Sequence, residues 1–248
     1  MKKESVILDE ILSIAYDLLV AGSEVGRAEK EIERMCRAYQ MEEVEVFIIT
    51  SFIVVSVKGK SGEVITQTKR IREYQINFTK LEFLEQLVEQ ICQKELSIKQ
   101  IQKRRKKIAE AHELRGMSVV YCFVCMIFTL FFGGSILDGI ASFCVGGFVK
   151  GSMHFFTHGI RNRFVWNILA SAGVGLGAWG LCRLGIAEAL DKIIIGNIML
   201  LIPGLAMING LKDLIEGEML AGLLRLMDAL IQAAAVALGV AMVLIPLG

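Results

Sequence analysis

Pro203 and Gly204 stand side by side inside an apolar run that carries an amide on each side, Asn197 and Asn209. Proline lacks an N–H and crowds the turn before it, and glycine adds freedom, so a helix is expected to break here. In hydrocarbon such a break strands carbonyls and amides, which is tolerated only beside protein or a water-filled cavity. Broken helices near the bilayer midplane are where polar solutes are held by backbone groups and amides, so Asn197, Pro203, Gly204 and Asn209 form a candidate binding set. A plain proline kink is the alternative.

Three ionic residues add to the set. Asp138 lies two residues into a second apolar run, where a carboxylate is costly unless it faces protein or water. It is read either as a proton or ammonium site or as a polar residue at the outer interface, after the loop Gly133-Gly134-Ser135. Asp213, Glu216, Glu218 and Arg225 crowd a short link, and Arg225 pairing with Asp213 or Glu218 would form a gate. His154 and His158 have the i, i+4 spacing of metal ligands, but no carboxylate or thiol stands at ligand spacing, so they read as polar flanks. Cys122-x-x-Cys125 sits among apolar residues and reads as packing. No nucleophile elbow, phosphate loop or zinc constellation occurs, so neither an enzyme nor a cofactor is expected.

The elements that must position these residues follow from where charge lies. Of 53 Lys, Arg, Asp and Glu residues, 39 fall in the first 116 positions, leaving 14 for the remaining 132. Stretches of about 20 apolar residues in the charge-poor part read as membrane helices. The first begins near Met117, too late for a signal peptide. A net charge of +1 gives no footing for nucleic acid.

The first 113 residues read as a small α+β head. Residues 5–20 place Ile7, Leu8, Ile11, Ile14, Ala15 and Leu18 on one helical face. Ala21-Gly22-Ser23 ends that helix, and Ser23 is the expected cap of a second, running to about Tyr39. Strands are expected over 43–50, 52–58 and 63–71, with turn chemistry at 58–62. A helix with the stripe Leu81, Leu84, Leu87, Val88 and Ile91 follows. Ser97 then caps another that carries the basic run 103–107, expected to meet anionic lipid.

Residues 114–248 read as five spans: 117–132, 136–156, 164–184, 193–211 and 226–247. Lys and Arg in the connections put the head and its basic flank, Arg161 and Arg163, and Lys212 and Arg225 on one side. The expectation is an α-helical membrane bundle of five transmembrane helices with a small N-terminal α+β cytoplasmic domain, its C-terminus outside. Gly147-x-x-x-Gly151 and Gly173-x-x-x-Gly177 would let helices approach closely.

The chain resembles the head-bearing N-terminal half of the threonine/serine exporter family. The resemblance rests on Ala21-Gly22-Ser23 with Arg27 and Glu29, Thr68-Lys69-Arg70-Ile71 before Asn77-x-x-Lys80-Leu81, and Gly133-Gly134-Ser135 with Asp138. Its most specific stretch is Gly196-x-x-Met199-Leu200-Leu201-Ile202-Pro203-Gly204, followed by Asn209, Asp213, Gly217, Gly222 and Arg225. It implies an inner-membrane secondary-active exporter of small polar metabolites, without cofactor. Long members look like a head plus two five-span halves. A chain ending after the first half is similar to the split arrangement, in which a second, smaller membrane subunit completes ten helices. Split members are associated with succinate-type dicarboxylates, single-chain members with threonine and serine. A membrane-anchored sensor whose head binds a ligand is the rival expectation.

Overall fold

A computed structural model describes residues 2–59, 62–72, 74, 76–94, 96–109, 117–156 and 162–247. The element order is α1 (Lys2–Ala21), α2 (Val25–Ala38), β1 (Glu42–Ile49), β2 (Phe52–Lys58), β3 (Val64–Arg70), α3 (Phe78–Lys94), α4 (Ile98–Ala109), α5 (Met117–Phe131), α6 (Ile136–Phe156), α7 (Arg163–Arg183), α8 (Leu190–Ile198), α9 (Gly204–Ile215) and α10 (Met219–Leu247). The chain forms two compact units. One comprises Met1–Glu113 and Ile208–Arg225, the other Leu114–Met207 and Leu226–Gly248.

In the first unit β1, β2 and β3 make an antiparallel meander in that order. Alternation along β2 sends Ile53, Val55 and Val57 to one face, where all three are buried. They join a core with Leu8, Ile11, Leu12, Leu18 and Leu19 of α1, Ile32 and Met35 of α2, and Leu87 and Ile91 of α3. The strands and helices expected for the head are all present. The basic run behaves differently from expectation at Arg105, which turns back onto α1: its Nε donates to Asp17 at 2.6 Å and its Nη1 to Glu10 at 3.3 Å.

The α1–α2 junction departs from the expected capping. Gly22, at φ +112°, ends α1 in a left-handed turn, with Gly22 N donating to Leu19 O and Ser23 N to Leu18 O. That paired closure makes Ser23 part of the preceding helix's stop. Its hydroxyl donates to the Glu24 carbonyl, and Glu24, the first residue outside α2, offers no side-chain cap.

In the second unit small residues face inward. Ala141, Val145 and Val149 of α6, Ala170, Val174 and Ala178 of α7, and Ile193 and Ile194 of α8 form its buried cluster. Large apolar residues such as Phe123, Phe148, Leu176, Leu238 and Met242 are exposed. That inversion suits a surface that meets lipid or other apolar helices. Among the described residues, α7 and α10 are long and apolar enough to cross a membrane, and the apolar part of α5, Ser118–Phe131, is shorter. The fourth expected span is two helices, α8 and α9, parted at 199–203.

Candidate functional site

The break around Pro203 is real and has an identifiable cause. α8 ends at Ile198, two tight turns follow (Leu201 N to Ile198 O at 2.9 Å, Gly204 N to Ile202 O at 2.8 Å), and α9 starts at Gly204. Pro203 has no N–H to offer the Met199 carbonyl. Among the described residues no backbone hydrogen bond ends on the carbonyls of Met199, Leu200 or Leu201. Gly204 is exposed, with open space where a Cβ would stand.

One turn before the break lies a buried neutral network. Asn197, fully buried, donates from Nδ2 to Ser142 Oγ at 2.8 Å and to the Ile193 carbonyl at 2.9 Å. Thr129 Oγ1 lies 2.7 Å from Ser142 Oγ and 3.0 Å from the Cys125 carbonyl, with one proton to share between them. α5, α6 and α8 are thus joined by three short polar side chains. The close approach depends on Gly196: a Cβ there would meet Thr129 Oγ1 and stand 2.8 Å from Thr129 N. Asn197 Oδ1 is buried without a hydrogen-bond partner. Such an acceptor costs about 1–3 kcal/mol if left unmade.

Asp138 is spent on backbone. Its Oδ2 accepts from Ser135 N (2.8 Å) and Ser135 Oγ (2.7 Å), while Ser135 Oγ accepts from Asp138 N, a capping box at the start of α6. Its Oδ1 accepts from Glu188 N and Ala189 N at 2.9 and 3.0 Å. The carboxylate therefore pins the segment entering α8 to the first turn of α6.

Asn209, Asp213 and Arg225 belong to the first unit. Asn209 Nδ2 donates to the Gly22 carbonyl at 3.2 Å, and Lys212 pairs with Glu24 at 2.6 Å. Asp213, fully buried, accepts from Val25 N at 3.0 Å and so supplies the cap that α2 lacks locally. Arg225, 8% exposed, lies with Nη1 2.9 Å from Asp213 Oδ2. The contact is ionic, since neither atom makes an aligned hydrogen bond. Gly217, at φ +99°, turns α9 into α10, with Glu218 N donating to Asp213 O at 2.8 Å. Across this corner a Cβ on Gly222 would stand 2.7 Å from the Gly210 carbonyl, so the two helices touch backbone to backbone. Glu218 in turn meets Glu29 of α2, whose carboxyl is pushed up to about 7 by burial and by this second carboxylate.

The structure thus brings Asp213 and Arg225 together, and places Asn197 in the last turn of α8 and Gly204 at the start of α9, on either side of the break. Asn209 is held separately, by Gly22. Sequence reasoning missed Thr129, Ser142 and the part-buried pair Asn167–Gln232 (2.6 Å between α7 and α10). Hydroxyls and amides in otherwise apolar helices were the available signal. His158 and Arg161 lie outside the described residues, and His154 falls in α6. No group of three or more metal-ligating side chains forms among the described residues.

A helix broken at proline, a buried amide network beside it and an inside-out apolar bundle define a class of protein that handles small polar solutes in a membrane. The family model described as "Putative threonine/serine exporter" matches residues 9–245, and the chain belongs to that family. It is also 26% identical over 234 residues to a Klebsiella aerogenes protein described as "Probable succinate transporter subunit YjjP", covering 93% of this chain and 90% of that one. No solved structure matches.

Proposed function

We propose that this chain is the head-bearing subunit of a secondary-active exporter of small polar metabolites, either threonine/serine-type amino acids or succinate-type dicarboxylates. A separate, smaller membrane subunit completes it. The chain crosses the inner membrane five times, with the head, residues 1–113, in the cytoplasm and the C-terminus outside. α8 and α9 together form the fourth span. The large apolar side chains exposed on α5, α6, α7 and α10 support both lipid and a partner bundle as their surroundings.

The observation that carries this reading is the broken segment 199–203, with free carbonyls one turn from the unsatisfied Asn197 Oδ1. Asn197 and the backbone around Pro203 and Gly204 replace water around the solute. Asp213 and Arg225, with Asn209, form the cytoplasmic gate, opening when the pair separates. Asp138 fixes the entry into α8. An ion gradient drives export.

Deleting the chain is expected to raise internal and lower external pools of the exported compound among threonine, serine and succinate. Restoring Asn197→Ala is expected to leave export near the deletion level at normal protein amount. Wild-type export by that variant, or by Pro203→Ala, would remove the site assignment.

A further inference from the structure

The head holds a cavity of about 110 Å³ between α1, α3 and α4 that the transport reading does not use. At about 30 Å³ per water it has room for three or four waters, the scale of a small metabolite. Val20, Leu84 and Ile108 give it apolar walls, and Asp17, Lys80 and Arg105 give it charge. Arg105 is already engaged by Asp17 (2.6 Å) and Glu10 (3.3 Å). Lys80, half-buried at the start of α3, has no carboxylate within ion-pair range among the described residues. Lys80 also belongs to the Asn77-x-x-Lys80-Leu81 motif, whose asparagine is fully explained: Asn77 Oδ1 caps α3 by accepting from Lys80 N at 3.0 Å. The lysine side chain has no such structural task.

The charges bear on the ligand. Within the lining Arg105 and Asp17 offset each other and Lys80 is the charge left over, while Glu10, outside the lining, holds Arg105 from its other side. Asp17 gives one carboxylate oxygen, Oδ2, to Arg105 Nε, and its other oxygen makes no hydrogen bond among the described residues. We infer that this cavity is a second binding site, for a small zwitterionic α-amino acid, whose carboxylate pairs with Lys80 and whose ammonium meets Asp17. A dicarboxylate would bring an uncompensated negative charge toward Asp17 and Glu10 and is disfavoured. The site gives the head a way to sense an amino-acid pool without carrying the amino acid across. It stands whether or not the exported compound is an amino acid.

Calorimetric titration of the full-length chain in detergent tests this, with L-threonine, succinate and inorganic phosphate as probes. L-Threonine is expected to bind in a Lys80-dependent way, and the two anions are not: any succinate binding at the transport site is expected to survive Lys80→Gln. Lys80→Gln is expected to weaken threonine binding about tenfold or more, the scale of one lost charge-assisted contact, with Lys80→Arg restoring most of it. Asn197→Ala is expected to leave this binding intact, which separates it from the transport site. Threonine binding unchanged by Lys80→Gln, abolished by Asn197→Ala or absent altogether would overturn the inference. So would Lys80-dependent binding of succinate or phosphate in place of threonine.

Discussion

The two polar centres of this protein solve the same packing problem with opposite chemistry. In the second unit, Asn197, Ser142 and Thr129 join three helices through neutral groups. In the first, Asp213, Arg225, Lys212 and Glu24 join the α9–α10 corner to α2 mainly through ions. A neutral hydrogen bond contributes about 1 kcal/mol net and costs about 1–3 kcal/mol when one buried partner goes. A buried ion pair contributes little net yet costs about 3–5 kcal/mol to break from one side. That difference suits the neutral network to the proposed solute site and the ionic corner to the proposed gate.

The comparison predicts its largest effect at the corner. Asp213→Ala removes the cap of α2 and leaves Arg225 buried without a counter-ion, and is expected to destabilise the first unit by about 3–5 kcal/mol. Asp213→Ala combined with Arg225→Met is expected to recover much of that, because the orphaned charge is gone. Denaturant unfolding of the four members of this cycle measures the coupling, and additive losses would mean that the ion contact contributes nothing. At the neutral centre, Ser142→Ala strips an acceptor from both Thr129 and Asn197. The expected loss is smaller, about 1–2 kcal/mol, with export impaired more than stability. Equal losses at the two centres would break the comparison.

Much of this architecture was legible in the residues, for physical reasons that differ by element. The head's strands and helices announce themselves through period-2 and period-3.6 patterns, and Pro203-Gly204 marks the break because its chemistry is local. Asp213–Arg225 was reachable as a pairing, since both lie in one short charged link. Capping of α2 by Asp213 was not, because donor and acceptor are 188 residues apart, and Ser23 offered a closer but false solution. Asp138 likewise looked like an exposed liability in an apolar run. Its four donors come partly from backbone at 188–189, which no pattern near Asp138 betrays. Arg105 was hidden inside a basic run whose average reads as a solvated face, although its fork reaches the acidic side of α1.

The smallest expected effect concerns pH and separates the centres most cleanly. The groups that bear on Glu29 are Glu218 from the α9–α10 corner, Glu33 on its own helix and the backbone of Ile48 in β1, with burial the largest influence. A carboxyl raised from 4.5 to about 7 binds its proton more tightly folded than unfolded. Folding is therefore favoured below pH 4.5, and that contribution is lost as pH rises through about 7. Glu29 is partly solvated, so the change is on the order of 1 kcal/mol after screening. Amide exchange in α2 is expected to quicken between pH 5 and 7.5 beyond its intrinsic rate, and Glu29→Gln, which keeps a neutral partner for Glu218, is expected to flatten that dependence. α8 contributes no carboxylate to the neutral network, so exchange around Asn197 should follow only the intrinsic rate. A pH response of equal size in α8 would show that the two centres do not open independently, and that protonation at the corner is felt at the proposed solute site.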